Sequence, residues 1–177
     1  LKVSPLKYYF RKLVKKYLVK KYFVKLDPVL NSYYEIATPI TFAGDFEIEF
    51  EIATSLNQFD HKIMSFRRDG NNLTNFGIST DKFRLYSRQG VNIIGTTVIT
   101  DGKLNKIKIV KNFLANTYSI YINNLLESVT DSGSFDWSVP TTIEFGKEVG
   151  LTNGMFTGIL ANVKFTDQSG ASDVVTT

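Results

Sequence analysis

From Val29 onward, apolar and polar residues alternate with a period of two in short runs. The segment GDFEIEFEI (residues 44–52) shows this most clearly, because four acids alternate there with four apolar residues. Turn-forming pairs such as Gln89-Gly90, Asp101-Gly102 and Asn123-Asn124 separate these runs. Alternation of this kind buries one face of a strand and exposes the other. The pattern therefore predicts short antiparallel strands joined by tight turns.

About ten such segments follow one another at close intervals, which favours an all-β, antiparallel two-sheet sandwich over residues 29–168. Residues 169–177 are polar and are predicted to fray as a C-terminal tail. The predicted strands are Tyr33–Ile36, Asp45–Ala53, Lys62–Arg68, Asn75–Ser79, Lys82–Ser87, Asn92–Val98, Lys106–Asn112, Thr117–Ile122, Thr142–Phe145 and Gly158–Thr166.

The first 28 residues follow a different pattern and form a separate basic arm. Ser4-Pro5 suits a helix start, and a basic amphipathic helix is predicted from residue 5 to about residue 19. Asp27-Pro28 ends the arm. One face of this helix would carry the apolar residues Leu6, Tyr9, Phe10, Leu13, Val14 and Tyr17. The basic residues considered for partner anchoring are Arg11, Lys12, Lys15 and Lys16.

Charge divides the chain in the same place. Residues 1–26 contain nine basic residues and no acid, so the remaining 12 basic and 17 acidic residues give the rest a net charge of −5. The arm could dock on a partner assembly, pack on its own domain, lie on an anionic membrane or bind nucleic acid. Docking on a partner is favoured over nucleic acid because it explains both the apolar stripe and the charge.

Composition excludes several kinds of site. The chain has no cysteine, which rules out disulfides and thiolate metal sites. His61 is the single histidine, which rules out a multi-histidine metal site and argues against a Ser-His-Asp triad. No apolar run reaches the roughly 18 residues needed to span a bilayer. The N-terminus of this sequence also lacks the apolar stretch of a secretory signal.

Two segments resemble the laminin G-like, concanavalin A-like jelly-roll domains. In DGKLNKIKIVKNFLANTYSIYINNLLES (residues 101–128), an Asp-Gly turn leads into a strand, a hairpin and a second turn. Leu104 and Asn105 stand where that family has a Trp-His pair. In residues 143–165, Phe156, Gly158 and Ile159 fit the family's closing strand. The resemblance implies a jelly-roll sandwich preceded by the basic helix, on a fold that hosts lectins, glycosidases, adhesion modules and virion proteins.

The acidic comb Glu47, Glu49 and Glu51 could carry glycosidase chemistry, because some glucanases of this fold place carboxylates on one strand. Three features argue against this hypothesis. The central acid of the glucanase pattern is Asp, the comb comes early in the domain, and the chain has a single Trp. The sequence instead predicts a non-enzyme in which the comb is a solvated strand face with Lys108, Lys111 or Lys164 as cross-strand partners.

Two polar turns and one tryptophan are candidates for binding a glycan or a host surface. If the turns meet at one end of the sandwich, they would form a single site. A calcium site is a further possibility implied by the resemblance, although Asp69, Asp81, Asp101 and Asp131 lie far apart in sequence. Beyond this possibility, no cofactor is expected. The candidate binding residues are Arg67, Arg68, Asn71, Asn72, Arg88, Asn92 and Trp137.

Domains similar to this one occur in bacteriophage head fibres, decoration proteins and tail fibres. Together with the absent signal and disulfides, the resemblance implies a structural or accessory protein of a virion, of decoration or fibre type. The N-terminal arm would anchor it to other virion proteins within an oligomeric assembly, and the jelly roll would project outward to bind surface glycans. Such a protein assembles in the host cytoplasm and acts outside the cell. The alternative is a free carbohydrate-binding, lectin-like module, and the third hypothesis is a glycoside hydrolase using the comb.

Overall fold

The computed structural model describes residues 23–26, 34–42, 44–68, 72–88, 90–131, 141–147 and 155–167. These residues form twelve strands. In chain order they are β1 (Phe23–Leu26), β2 (Tyr34–Ile40), β3 (Phe46–Ala53), β4 (Gln58–Arg67), β5 (Leu73–Thr80), β6 (Lys82–Ser87), β7 (Val91–Val98), β8 (Asn105–Asn112), β9 (Thr117–Ile122), β10 (Leu125–Asp131), β11 (Thr141–Phe145) and β12 (Gly158–Asp167).

The strands form two six-stranded sheets in which every named pair is antiparallel. Sheet A has the order β1-β12-β3-β8-β9-β10, and sheet B has the order β2-β11-β4-β5-β6-β7. The two-sheet antiparallel sandwich predicted from the alternation is therefore confirmed. Strand β1 lies within the segment assigned to the arm and pairs with β12, so sheet A extends N-terminal to residue 29.

Aromatic and branched side chains from both sheets fill the space between them. Phe46, Ile48, Phe50 and Ile52 of β3 are fully buried, as the alternation predicts. Rings meet across the core, with Phe50 of sheet A 6.3 Å from Phe83 of sheet B. This continuous core fixes which face of each strand points outward.

Tight turns set the register of sheet A. Asn123 and Asn124 have φ values of 52° and 68°, as expected for a hairpin turn that needs positive φ. The Asn123 side chain accepts a hydrogen bond from the Lys106 backbone amide at 2.9 Å and donates one to Asn105 at 2.9 Å. This turn begins β10, a strand that the sequence reasoning did not predict.

Glu127 links the edge strands of the two sheets. Its carboxylate on β10 accepts hydrogen bonds from the backbone amides of Thr96 (2.7 Å) and Thr97 (3.0 Å) on β7. Both threonine hydroxyls donate to it as well. Partial burial alone raises the pKa of Glu127, but the hydrogen bonds from Thr97 and Thr96 outweigh it and lower the pKa to about 2. A carboxylate thus satisfies amides that an edge strand would otherwise expose.

Candidate functional site

The outer face of sheet A carries the acidic comb, and lysines lie beside its acids. Glu49 forms an ion pair with Lys106 at 3.1 Å, and Glu47 forms one with Lys108 at 3.6 Å. Glu51 accepts a hydrogen bond from the side-chain amide of Asn162, at 2.5 Å. Of the expected lysine partners, Lys108 forms an ion pair as predicted and Lys164 stands opposite Glu49 on β12, and Lys106 is an additional partner. The prediction for Lys111 is wrong, because this lysine stands opposite Phe46 and is buried on the other face of the sheet.

This arrangement gives the glycosidase hypothesis no support. Alternate residues on one strand are about 7 Å apart at the backbone. Here the acids lie on a central strand between β12 and β8, and each is engaged by a lysine or an asparagine. Lys108 also lies over the ring of Tyr121, 5.2 Å from its centroid. The outer face of sheet A is an ion-paired strand surface.

The outer face of sheet B is composed differently. Side chains that stand directly opposite each other on antiparallel strands share a face. One such row runs across β11, β4, β5, β6 and β7 and consists of Glu144, Ser65, Asn75, Tyr86 and Asn92. A second row consists of Lys62, Gly77, Arg84 and Ile94. We call these two rows the sheet B face.

The middle of the sheet B face is polar but buried. Ser65 is 0% exposed, Asn75 is 1% exposed and Lys62 is 7% exposed. Glu144 is also buried and lies 3.6 Å from the Lys147 amine. A polar group removed from water must be matched by a hydrogen bond or a charge. Because these side chains have little or no contact with solvent, a ligand on this face would meet the more exposed residues around them.

Tyr86, Arg84 and Asn92 form an ordered cluster beside this buried centre. The Arg84 guanidinium lies 4.9 Å from the centroid of the Tyr86 ring. Its Nε donates a hydrogen bond to Asn92 Oδ1 at 3.1 Å. Tyr86 and Arg84 are half-buried, and Asn92 is exposed. The cluster therefore presents an aromatic ring, a guanidinium and an amide at the surface in fixed relative positions.

The strand ends that flank the two polar turns lie side by side. Arg68 donates a backbone hydrogen bond to Asn72 at 3.1 Å, which closes the β4–β5 turn. The Arg88 backbone amide donates to the Leu73 carbonyl at 3.1 Å and joins the β6–β7 turn to it. Arg68 and Arg88 are exposed, and Arg67 is half-buried. Of the other predicted binding residues, Asn71 and Trp137 lie outside the described residues.

At the opposite end of the sandwich, a recess of about 390 Å³ lies among the β3–β4 loop, the β7–β8 loop and the start of β12. Thr54 orders it by donating to the Thr157 carbonyl at 2.8 Å and accepting from the Leu56 amide at 3.2 Å. Its lining residues are Ala53, Thr54, Ser55, Leu56, Gly102, Thr157, Gly158 and Ile159. The candidate turns do not contribute to this recess.

Within the described ranges, no three His, Cys, Asp or Glu side chains come together in a group that could hold a calcium ion. Asp101 is engaged by its own loop. Hydrogen bonds from the backbone and side chain of Lys103 lower its pKa, and its carboxylate lies 3.1 Å from the Lys103 amine. Asp81 lies in the β5–β6 turn, and the Asp131 side chain and Asp69 are outside the described part of the chain.

The anchoring residues of the predicted arm, from Leu6 to Tyr17, all lie outside the described residues, so the helix and its docking stay predictions. In the part of the chain that the structure covers, no helix is long and apolar enough to cross a membrane.

Sequence reasoning selected the turns but missed the strands between them. Arg84, Tyr86, Asn75 and Ser65 were not selected, because each looks like an ordinary strand residue in its own segment. One signal was available. Asn75 and Arg84 interrupt apolar segments with large polar groups, and Gly77 lies two residues after Asn75.

Comparison with known proteins first gave two negative results: neither protein-family models nor curated proteins match this sequence. Solved structures do match. A heptameric SAP-like pentraxin from Limulus polyphemus is 13% identical, with a TM-score of 0.65 over 81% of this chain and 74% of that one. Domains LG4-5 of the mouse laminin α1 chain are 8% identical, with a TM-score of 0.65 over 94% of this chain and 48% of theirs.

A third neighbour is the CBM40 module of a Ruminococcus gnavus IT-sialidase, solved with α2,3 sialyllactose. It is 12% identical, with a TM-score of 0.54 over 75% of this chain and 89% of that one. Identities this low establish similarity of fold and nothing finer. These neighbours and the two-sheet topology agree with the resemblance inferred from sequence. The chain has a laminin G-like, concanavalin A-like jelly-roll fold.

Proposed function

We propose that this chain is a carbohydrate-binding module whose glycan site is the sheet B face together with the adjoining β4–β5 and β6–β7 turns. This is the lectin-like alternative from the sequence reasoning rather than its leading hypothesis. It agrees with a non-enzymatic role, because the structural neighbours are mostly binding proteins and modules.

The observation that carries the proposal is the ordered cluster of Tyr86, Arg84 and Asn92 beside a buried polar centre. Saccharides present an apolar ring face and a rim of hydroxyl groups. An aromatic ring matches the first, and amide, hydroxyl and guanidinium groups match the second. A rigid strand scaffold holds these groups in place without the entropic cost of ordering a loop.

The two tyrosines on opposite outer faces provide a matched test. Tyr86 lies under Arg84, and Tyr121 lies under Lys108, so each is a strand tyrosine with a cation over its ring. The full chain is first screened on a glycan array. Binding of the best glycan is then measured by calorimetry for Tyr86→Ala and Tyr121→Ala. We expect Tyr86→Ala to weaken binding about tenfold or more, and Tyr121→Ala to leave it within about twofold.

Two outcomes would overturn the proposal. The first is an array on which no glycan is bound by the folded protein. The second is an equal loss in both variants, which would mean that the site is elsewhere or that the effect is one of stability. Thermal unfolding of both variants separates these cases, because a binding role for Tyr86 requires an intact fold.

A virion role stays a separate prediction, together with its implied location, anchoring partners and oligomeric state. The sequence feature that favours it is the contrast between nine basic residues in residues 1–26 and a net charge of −5 in the rest. It is compatible with glycan binding, since an anchored particle protein can display a binding module. A chain lacking residues 1–22 should then fold and bind glycan, but fail to join the particle.

A further inference from the structure

The arginines of this protein are confined to one region. Apart from Arg11, every arginine in the chain lies between residues 67 and 88: Arg67, Arg68, Arg84 and Arg88. Elsewhere after residue 26 the basic residues are all lysines, including those that pair with the acidic comb. Arginine and lysine are not equivalent here, because the planar guanidinium binds carboxylate and sulfate oxygens in pairs, whereas an ammonium acts as a point charge.

The net charge is distributed in the same way. Residues 58–98, which form β4 to β7 and their turns, contain six basic and three acidic residues. The rest of residues 27–177 contains six basic and 14 acidic residues. The segment that forms most of the sheet B face is therefore net positive by three, on a domain that is otherwise net negative by eight. Such a local field attracts anions to this face and repels them from the others.

Arg84 is oriented by two contacts. Stacking on Tyr86 fixes the plane of the guanidinium, and the hydrogen bond from Nε to Asn92 fixes its rotation within that plane. The terminal nitrogens are the part of the side chain with which arginine forms paired hydrogen bonds to an oxyanion. Orienting a long side chain in advance lowers the entropic cost of binding.

Gly77 stands opposite Arg84 in a closely packed part of the sheet. Gly77 is paired with Lys62 on β4 and with Arg84 on β6. The Cα atoms of Lys62 and Arg84 are therefore about 10 Å apart, which is two strand spacings. A Cβ at Gly77 would lie 2.3 Å from the backbone oxygen of His61, so the bulged strand β4 requires glycine here. The backbone of β4 therefore packs directly against Gly77, with Lys62 on one side and Arg84 on the other.

From this arrangement we infer that the ligand of the sheet B face is an anionic saccharide, carrying carboxylate or sulfate groups. Arg84 binds the anionic group and Tyr86 contacts the sugar ring. The inference rests on the proposed function and specifies its class of ligand, since a neutral glycan has no anionic group that could pair with the clustered arginines.

The test measures binding of three oligosaccharides to the full chain by calorimetry at physiological salt. They are trigalacturonate (carboxylate), a sulfated carrageenan tetrasaccharide (sulfate) and neutral agarotetraose. Each is titrated into the parent protein and into Arg84→Gln, Arg84→Lys and Lys108→Gln. The last variant removes a positive charge from the outer face of sheet A and controls for net charge. The basic arm is present in every protein, so its contribution cancels when a variant is compared with the parent for the same oligosaccharide.

We expect the parent to bind at least one anionic oligosaccharide about tenfold or more tightly than the neutral one. Arg84→Gln should remove about a tenfold factor or more, and Arg84→Lys a smaller factor, because the charge stays and the paired geometry is lost. Lys108→Gln should leave the affinity within about twofold. Which of the two anionic oligosaccharides binds distinguishes carboxylate from sulfate recognition.

Three results would overturn the inference, and they differ in what they mean for the proposed function. In the first result, the protein binds the neutral glycan and Arg84→Gln does not change that affinity. The proposed glycan binding would then stand, but the inference of an anionic ligand would be wrong. Equal losses in Lys108→Gln and Arg84→Gln mean general charge attraction instead of a site. Absence of binding to all three, with binding of duplex DNA that Arg84→Gln weakens, makes the face a phosphate-polymer surface and also contradicts the glycan proposal.

Discussion

The two outer faces of this sandwich use similar residues in different ways. On sheet A, acids of β3 pair with lysines of β8, and those ion pairs are partly exposed to solvent. On sheet B, the central polar residues are buried, and an arginine is stacked on a tyrosine and bound to an asparagine. The first face is adequately explained by solubility and strand pairing. The second surrounds a buried polar centre with an ordered cluster of Arg84, Tyr86 and Asn92, and this cluster is the basis of the proposed binding site.

The largest expected difference between the faces is the effect of a small substitution on the free energy of unfolding. Gly77→Ala on sheet B should lower the free energy of unfolding by about 3 kcal/mol, because its Cβ would overlap the His61 carbonyl. Ser119→Ala on β9, which lies on the outer face of sheet A, should cost less than about 0.5 kcal/mol. Urea unfolding of both variants gives the comparison. Similar values for the two would mean that the bulged β4 does not constrain the sheet B face.

The next difference concerns one carboxylate on each face. The Glu144–Lys147 pair is 7% and 12% exposed at its side chains, whereas the Glu49–Lys106 pair is 27% and 40% exposed. Glu144→Gln should cost about 2 kcal/mol, since it removes a carboxylate beside an ammonium that is largely shielded from solvent. Glu49→Gln should cost less than about 1 kcal/mol and depend more strongly on salt. Equal costs at low and high salt would show that the two faces are electrostatically alike.

The smallest expected effect comes from Glu127, which joins the edges of the two sheets. Its pKa is lowered from 4.5 in the unfolded chain to about 2 in the fold. The stability it contributes is therefore fully present above about pH 4.5 and is lost as the pH falls towards 2. Because the group is only partly buried and solvent screens its interactions, we expect Glu127→Gln to cost only about 1 kcal/mol at neutral pH.

Thermal unfolding of the parent and Glu127→Gln from pH 6 to pH 2 checks this expectation. The difference between the two should be constant above about pH 5 and shrink at lower pH. A difference that does not change with pH would mean that the hydrogen bonds to Thr96 and Thr97 do not depend on the charge of the carboxylate.

Much of the fold could be predicted from the sequence, because alternation and turn chemistry are local. Strands such as Lys82–Ser87 and Thr117–Ile122 have the predicted bounds, and Asn123-Asn124 forms the predicted turn. Strand β10 was missed because LLESVTD has several exposed apolar residues and lacks a clean alternation; Leu125 is 69% exposed. It becomes a strand through pairing with β9, and this pairing depends on residues outside the segment.

The candidate site was less predictable than the fold. The turns at Arg68 and Arg88 could be selected because exposed polar turns are visible in a sequence. The sheet B face could not, since Lys62, Gly77 and Arg84 become neighbours only through strand register. A one-residue shift would move each of them to the opposite face. The acidic comb, the most conspicuous sequence feature, is the part with the simplest structural explanation.

The most direct test of the central claim is an amide chemical-shift map of the full chain during titration with its best-binding glycan. If the glycan binds the sheet B face, we expect the largest shifts on β5 to β7, at Asn75, Arg84, Tyr86 and Asn92. The amide shifts of β3 and β8 should not change. Shifts centred on Ala53–Leu56 and Gly102 would place the ligand in the recess at the opposite end of the sandwich. That result would contradict the account.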